Sequence, residues 1–207
     1  KVVSGIGKNS LKIYNNFYKL ITKKTVKSPS IKIAEMSKLL ENIYRSINIA
    51  LINELKIATT KLDIDIYDVI KIASTKPFGF QKFFPGPGTG GHCIPIDPIY
   101  FSWLSKKKGV NVKFIELSSK INQIRTKWII KKLKTIAKKI SSPKILLLGL
   151  SYKKNIEDTR ESASIKILED LLKQKYAIDY SDPFNQKIVL NYRKKRKVLS
   201  SKKFNKN

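Results

Sequence analysis

A thiol, an imidazole and a carboxylate occur close together in a segment rich in glycine and proline. Residues 83–98 contain the single cysteine, Cys93, the single histidine, His92, and Asp97, with four of the nine glycines and four of the eight prolines. A thiol four residues before a carboxylate pairs a potential nucleophile with a potential proton acceptor. The composition is equally compatible with a tight structural turn around a buried, inert cysteine.

The glycines of this segment also indicate a ligand that approaches the main chain. Glycine allows positive φ and close approach, whereas proline fixes φ, so their alternation predicts a preset loop with exposed amide donors. Such donors suit an anionic ligand. We refer to residues 83–96 as the thiol loop.

Long helices are predicted on both sides of the thiol loop. Residues 31–62 contain no glycine or proline and carry apolar residues at helical spacing, and residues 112–140 show the same pattern. Within the first stretch Glu35, Lys38, Asn42 and Arg45 share one helical face. That face is either a solvated ion-pair surface or part of a site.

Strand patterns lie at the two ends of the chain. Residues 1–4 predict a short strand followed by a helix capped by Ser10, and residues 144–149, 164–173 and 177–180 predict strand, helix and strand. The fold class is therefore α/β. Ligands of open α/β sheets sit beyond the carboxyl ends of strands, which draws attention to residues 150–162.

The net charge of +28 comes mostly from lysines spread along the whole chain. We interpret it as a solvated face and a compositional bias rather than a nucleic-acid surface, because nucleic-acid readers concentrate arginine and aromatic residues. The basic segment 185–207 predicts a disordered tail, with binding to nucleic acid or lipid as the minority alternative. No apolar run of membrane-spanning length and no signal layout is present, so we expect a cytoplasmic protein without a membrane segment. A lone cysteine cannot form an internal disulfide or a thiolate zinc site, and no metal is expected.

Three separated blocks carry a resemblance to a known family. They are Ala34-Glu35-x-x-Lys38-x-x-x-Asn42, the run from Gly86 to Pro98, and Tyr152-Lys153-x-x-x-x-Asp158-x-Arg160-Glu161-Ser162. Their order and spacing resemble the UDP-glucose/GDP-mannose dehydrogenase family, the nucleotide-sugar 6-dehydrogenases, from about residue 1 to residue 184. The form of the thiol loop and of residues 75–80 is most similar to the UDP-N-acetylhexosamine branch.

The resemblance implies an oxidation of the sugar C6 alcohol to a carboxylate in two steps with two NAD+. Cys93 would hold the aldehyde as a thiohemiacetal and then a thioester, and Asp97 would assist proton transfer or activate water. Lys38 and Asn42, one helical turn apart, would stabilise the developing oxyanion, since a cation at bonding range lowers the cost of negative charge on oxygen.

The resemblance also implies a set of binding residues. Backbone amides of Gly88, Gly90 and Gly91 would line the sugar and diphosphate, and Phe84 would stack near the base. Tyr152 and Lys153 would hold the UDP, and Lys76 would reach the ligand of a neighbouring subunit. Arg160 would contact the cofactor, although an ion pair with Asp158 or Glu161 is the structural alternative.

By the same resemblance, a central long-helix dimerisation domain lies between the end of one Rossmann-like domain and the start of a second. The implied limits are 1–29 for the end of the NAD-binding domain, 30–140 for the central domain with the thiol loop, 141–184 for a partial UDP-sugar-binding domain and 185–207 for the basic tail. The chain shows no glycine fingerprint between a buried strand and a helix, so the resemblance alone implies NAD. The rival hypothesis is a catalytically incomplete dimeric module that binds UDP-sugar without oxidising it.

Overall fold

The chain has a mixed α/β fold. The computed structural model describes residues 1–192 and 195–202. Two compact units are present, Lys1–Tyr44 and the part from Arg45 onwards, and each is described by itself.

The first unit begins with a small β-α-β arrangement. Strand β1 (Val2–Val3) pairs in parallel with strand β2 (Val26–Lys27), and helix α1 (Gly7–Ile21) connects them. The predicted cap is wrong, because α1 begins at Gly7, three residues before Ser10, and Ile6 occupies the N-cap position. The Ser10 hydroxyl instead donates to the Ile6 carbonyl at 2.5 Å.

Helix α2 (Ile31–Lys61) follows the prediction closely, as expected of a stretch without helix breakers. Its continuation is helix α3 (Ile66–Ala73), which is capped by Asp65, whose carboxylate accepts from the Tyr67 amide at 2.9 Å. In the second unit, a small apolar core forms from Ile52, Ile66 and Ile70, and Phe83 packs against it. The thiol loop thus starts from a residue fixed by apolar contact.

Helices α4 (Asp97–Lys107) and α5 (Lys113–Ala137) follow the thiol loop. They are joined by polar contacts of Glu116, which accepts from the Ser102 hydroxyl at 2.5 Å and pairs with Lys106 at 2.7 Å. Because α5 also packs against the next helix, it connects the thiol loop to the α/β part of the unit.

That α/β part consists of strand β3 (Lys144–Leu148), helix α6 (Ala163–Lys173) and strand β4 (Ala177–Ser181). The two strands are parallel, with Lys144 opposite Ala177 and Leu148 opposite Ser181. A buried apolar cluster joins these elements to α5, and its members are Ile130, Leu150, Ile167, Leu168, Leu171, Leu172, Ile178, Tyr180, Ile188 and Leu190. This cluster is the main core of the described chain.

The prediction of a disordered basic tail is wrong for the part of the tail that the structure describes. Strands β5 (Lys187–Tyr192) and β6 (Lys195–Ser200) form an antiparallel hairpin. Ile188 and Leu190 are 8% and 4% exposed while Val189 is 60% exposed, so burial alternates along β5 with the period of two expected of a strand. The Lys202 amide donates to the Tyr180 carbonyl at 2.8 Å, which ties the hairpin to β4. Residues 193–194 and 203–207 lie outside the described ranges.

Within the described ranges, no helix has the length and apolar character needed to cross a bilayer. Over the same residues, no group of three or more His, Cys, Asp or Glu side chains is arranged to hold a metal ion.

Candidate functional site

Cys93 lies in irregular backbone between α3 and α4 and is exposed, so the interpretation of a buried inert thiol is wrong. Its carbonyl accepts from the Ile96 amide at 3.2 Å and from the Asp97 amide at 2.8 Å. The main chain at Cys93 therefore forms the turn that leads into α4. Asp97 is the first residue of that helix, one turn after the thiol.

The beginning of the thiol loop is held by side chains from two helices. The Gly86 amide donates to Asn53 Oδ1 of α2 at 2.9 Å. From α5, Arg125 Nε donates to the Gly86 carbonyl at 3.1 Å, and Thr126 Oγ1 donates to the Pro87 carbonyl at 2.6 Å. These bonds satisfy backbone groups of the loop that would otherwise be paired within a helix or a sheet.

Two buried asparagines connect those helices. Asn53 and Asn122 are 0% and 3% exposed, and Asn53 Nδ2 donates to Asn122 Oδ1 at 2.9 Å. Asn122 Nδ2 in turn donates to the Ser46 carbonyl at 3.3 Å. The hydrogen bonds therefore run from the α2 backbone through both amides to Gly86.

Arg125 is an unusual anchor because its guanidinium is buried. The residue is 7% exposed, and its charge lies over the Trp128 ring at 4.6 Å from the centroid. Burial lowers the pKa of Arg125 from its ordinary value, and Nη1 is buried without a hydrogen-bond partner among the described residues. Arg125 thus keeps its bond to Gly86 at the cost of an unsatisfied donor.

The glycines of the thiol loop lie where side chains would not fit. A Cβ on Gly88 would lie 2.8 Å from Thr126 Oγ1, and one on Gly90 would lie 2.6 Å from Tyr152 Cβ. A Cβ on Gly91, whose φ is 84°, would lie 2.7 Å from the Tyr152 ring. The Gly91 amide donates to the Arg160 carbonyl at 2.9 Å. The thiol loop therefore contacts the loop between β3 and α6, residues 149–162.

Lys153 lies on a cavity at the carboxyl ends of β3 and β4. The cavity has a volume of about 280 Å³, and Lys154 and Phe184 line it as well. Asp182 lies beside it, 3% exposed, and accepts from the Leu150 amide at 2.7 Å. Burial acts to raise the pKa of Asp182, but the amides of Leu150, Asn185 and Phe184 favour the carboxylate and hold that pKa below its ordinary value. Asp182 thus fixes the beginning of the 149–162 loop through its bond to the Leu150 amide.

Arg160 forms the ion pair that was its structural alternative. Its Nε donates to both Asp158 oxygens at 3.0 Å, and Nη2 donates to Oδ2 at 2.6 Å. The side-chain hydrogen bond of Arg160 lowers the pKa of Asp158 to about 2. The pair links residues only two positions apart, whereas the 149–162 loop is closed by the Tyr152 amide, which donates to the Asp158 carbonyl at 3.1 Å. The contact of Arg160 with a cofactor stays a prediction.

Phe84 and Lys76 lie apart from the bonded part of the loop. Phe84 stacks on Tyr67 with ring centroids 6.3 Å apart and remains 55% exposed, so only one ring face is covered by Tyr67. Lys76 is exposed. Stacking of Phe84 on a base and a contact of Lys76 with a neighbouring subunit stay predictions.

Lys38 and Asn42 belong to the first unit, whereas Cys93 and Asp97 belong to the second. Lys38 is exposed and pairs with Glu41 at 3.1 Å, while Asn42 is 2% exposed. The interpretation of their face as a solvated surface is therefore wrong for Asn42. Their convergence on the thiol stays a prediction.

A second cavity of about 550 Å³ adjoins the thiol loop. Thr89 and Pro95 line it from the loop, and Gln123, Lys127 and Lys166 line it from α5 and α6. Its volume is in the range of small-molecule sites.

The sequence reasoning missed the side chains that hold the thiol loop. For α2 a signal was available: Asn42, Ser46 and Asn53 share one helical face and are 2%, 2% and 0% exposed. A stripe of small uncharged polar residues along one face of a helix indicates buried polar contacts. Arg125 and Thr126 of α5 gave no comparable signal among the many lysines and polar residues of that helix.

Two domain models of one family match the chain. The central domain of the UDP-glucose/GDP-mannose dehydrogenase family matches residues 32–124, and the UDP-binding domain of that family matches residues 146–206. The first match contains the thiol loop, and the second contains the 149–162 loop and the hairpin. The family expected from the three sequence blocks is confirmed.

Individual relatives agree with these matches. The UDP-N-acetyl-D-mannosamine dehydrogenase of Methanococcus vannielii is 38% identical over 187 residues, 88% of this chain and 42% of its own length. The UDP-N-acetyl-D-glucosamine 6-dehydrogenase of Pseudomonas aeruginosa is 34% identical over 189 residues, 89% of this chain and 44% of its own length. The chain thus spans less than half the length of these relatives.

The solved structure of the UDP-N-acetyl-mannosamine dehydrogenase of Staphylococcus aureus superposes with a TM-score of 0.75 at 33% identity. The match covers 88% of this chain and 42% of that one. The arrangement of elements described above is therefore that of a nucleotide-sugar dehydrogenase over the matched part.

Proposed function

Because this chain belongs to the UDP-glucose/GDP-mannose dehydrogenase family, we propose that it carries the thiol centre of an NAD-dependent UDP-sugar 6-dehydrogenase. The substrate is a UDP-N-acetylhexosamine, or UDP-glucose. The observation that carries the proposal is an exposed single thiol, Cys93, on a loop whose Gly91 is bonded to the loop of the UDP-binding domain.

The reaction oxidises the C6 alcohol by four electrons. The alcohol first loses a proton and a hydride to become an aldehyde, and the Cys93 thiol adds to that carbonyl as a thiohemiacetal. Loss of a second proton and hydride gives a thioester, and water then releases the carboxylate and the free thiol. NAD+, when bound, would supply the acceptor for each hydride.

The side chains of this chain act on the protons and on the oxyanion. Asp97, one turn from the thiol at the start of α4, takes up a proton from the thiol or from the attacking water. Lys38 and Asn42 stabilise the negative oxygen of the tetrahedral species, as a cation and an amide donor one turn apart on α2.

The UDP part of the substrate is held at the 149–162 loop. Lys153 supplies a cation beside the 280 Å³ cavity at the carboxyl ends of two parallel strands, where α/β sheets bind ligands. Tyr152, packed on the loop glycines, supplies an aromatic face, and the amides of Gly88 and Gly90 supply donors for the sugar and diphosphate. The Gly91 amide, predicted as a third donor, is instead bonded to the Arg160 carbonyl. Phe84 offers its open face to the base.

The described residues do not form a complete binding site for NAD. Gly86, Gly88 and Gly91 do satisfy G-x-G-x-x-G, but they follow irregular backbone rather than a buried strand. Arg160 is committed to Asp158 and presents only its remaining donors. No step of the mechanism is therefore derived through the cofactor.

A homodimer built on the central helices accompanies this function. Leu51 and Leu55 of α2 are 50% and 40% exposed in the single chain, which supplies apolar surface for a second copy. Sedimentation equilibrium measures the oligomer, and a monomer at micromolar concentration would remove the dimer from the proposal.

The test measures NADH formation with UDP-N-acetylmannosamine, UDP-N-acetylglucosamine, UDP-N-acetylgalactosamine and UDP-glucose. It is paired with titration of UDP by calorimetry, which needs no turnover. Cys93→Ser should abolish NADH formation and leave UDP binding unchanged, whereas Lys153→Gln should weaken UDP binding and the control Lys173→Gln should not. NADH formation that survives Cys93→Ser would contradict the assigned chemistry.

The match of residues 146–206 to the UDP-binding domain also supports a second candidate, a UDP-sugar-binding module without oxidation. It predicts UDP binding that depends on Lys153 and no NADH formation with any of the four sugars. The same two measurements therefore separate the candidates.

A further inference from the structure

The first turn of the thiol loop, residues 86–88, is held only by side chains that the dehydrogenase chemistry does not use. Gly86 is bonded through its amide to Asn53 and through its carbonyl to Arg125, and Pro87 is bonded through its carbonyl to Thr126. We call Asn53, Asn122, Arg125 and Thr126 the loop anchors.

Asn53 and Asn122 form a directed chain of bonds, whereas Arg125 and Thr126 each bond the loop separately. Both polar groups of the Asn53 amide are used, the oxygen by Gly86 and the nitrogen by Asn122. The nitrogen of Asn122 is in turn fixed on the Ser46 carbonyl. Because each amide orients the next, the position of the Gly86 amide is fixed relative to the backbone of α2.

Arg125 points to the same role. A buried guanidinium with an unpartnered Nη1 is unfavourable for packing alone, and an apolar side chain would fill that space without a desolvation cost. What an apolar residue could not supply is the bond from Nε to the Gly86 carbonyl. The geometry of Arg125 is therefore explained by the position of the loop.

The thiol lies a short distance along the chain from this fixed turn. The Gly91 amide is bonded to Arg160, and the Cys93 carbonyl is bonded to Ile96 and Asp97 at the start of α4. With residues 86–88 also fixed, little freedom remains between the anchored turn and Cys93.

We propose that the loop anchors are positioning residues that set the place of the Cys93 thiol, and that α5 thereby contributes to the thiol centre through Asn122, Arg125 and Thr126. The proposal rests on the proposed role of Cys93 as nucleophile. It concerns geometry, so it is testable on the full chain without turnover.

The experiment uses Thr126→Val, which removes one hydroxyl and keeps the side-chain shape. Its matched control is Thr135→Val on the same helix, where the hydroxyl donates only to the Lys131 carbonyl one turn back. Thr126→Ser restores the hydroxyl. Hydrogen exchange is followed in peptides covering residues 83–96 and, for comparison, residues 144–148 of the core strand β3.

The expected result is faster exchange confined to residues 83–96. Loss of one hydrogen bond should accelerate exchange there by about fivefold in Thr126→Val, with the control and Thr126→Ser at the parental rate. Asn53→Asp keeps the acceptor for the Gly86 amide and loses the donor to Asn122. It should also accelerate hydrogen exchange in the peptides covering residues 83–96. Equal exchange in Thr126→Val and Thr135→Val, or acceleration in residues 144–148 as large as in the loop, would overturn the proposal.

The reactivity of the single thiol gives a second measurement. It should not change if the loop anchors contributed only to the stability of the fold. The rate of Cys93 alkylation by iodoacetamide is measured in the folded chain and divided by the rate for the same variant in denaturant. In the parent, the ratio of folded to denatured alkylation rates should differ from one, because the fold sets the surroundings of the thiol. The ratio should move towards one in Thr126→Val and return to the parental value in Thr126→Ser. A parental ratio of one would refute positioning, whereas NADH formation that survives Cys93→Ser would refute only the chemistry and leave the exchange result standing.

Discussion

The thiol loop and the β3–α6–β4 part of the same unit are held together by different means. In the α/β part, Leu168 and Leu171 are both 0% exposed within one apolar cluster. In the thiol loop, the backbone is irregular, and single hydrogen bonds to Gly86, Pro87 and Gly91 define it. Apolar burial is spread over many atoms and tolerates local change, whereas the loop depends on a few directed contacts. One region supplies stability and the other supplies position.

The largest expected effect comes from the core. Leu168→Ala should lower the free energy of unfolding by about 3 kcal/mol, because it removes buried methyl groups and leaves a cavity. Denaturant unfolding followed by circular dichroism measures it. The control Leu62→Ala, at a leucine that is 67% exposed, should cost far less. Similar losses for both variants would mean that the cluster around Leu168 is not the stabilising core.

The next effect tests the contact between the two loops. Gly91 and Gly109 have φ values of 84° and 80°, but only Gly91 faces a neighbour, the Tyr152 ring. Alanine at either position should cost about 1–2 kcal/mol for the backbone conformation. Gly91→Ala should cost more than Gly109→Ala because the ring must also move. Equal free energies of unfolding for the two variants would show that Tyr152 does not press on the thiol loop.

A smaller effect depends on pH. The pKa of Asp182 is lowered in the folded chain, so its carboxylate adds stability above the unfolded pKa of about 3.9, and that stability is lost as pH falls through the folded pKa. Asp182→Asn should therefore be most destabilising near neutral pH. The difference in free energy of unfolding between parent and variant should shrink below about pH 4. A difference that does not change with pH would contradict the amide-stabilised carboxylate.

The smallest effect is expected at the exposed pair of Arg160 and Asp158. The contact with the thiol loop uses the Arg160 carbonyl, so Arg160→Lys should keep the bond to Gly91 while losing the two-pronged contact with Asp158. The change in free energy of unfolding should be smaller than that of Asp182→Asn at neutral pH. In thermal unfolding, a shift larger than that of Asp182→Asn would mean that the ion pair, rather than the backbone bond, holds the 149–162 loop.

The sequence predicted the helices and strands in which apolar residues recur at a clear helical or strand spacing. Helix α2 was predicted at residues 31–62 and α6 at residues 164–173, and both agree with the structure. The hairpin of β5 and β6 was missed because its apolar residues are few and lie among many lysines and arginines. Strand β2 was missed because two residues carry no detectable period.

The residues of the candidate site also fall into those that the sequence predicted and those that it did not. Cys93 and Asp97 were visible in the sequence because the thiol is single and the loop glycines are clustered around it. Lys153, one lysine among many, was indicated only by the family resemblance. The loop anchors were not found, because an asparagine or threonine on a helix looks the same whether it faces water or a backbone carbonyl. Only the packing of α5 beside the loop makes Thr126 and Arg125 anchors.

The contact between Gly91 and the Tyr152 ring also limits which sequences this fold can accept. A homologue with a side chain at the first position needs a residue smaller than tyrosine at the second, so the two positions should change together during divergence. The costs of Gly91→Ala and Tyr152→Ala should accordingly add to more than the cost of the double variant. The two stretches that match the central and the UDP-binding domain of the family are therefore in contact at this pair.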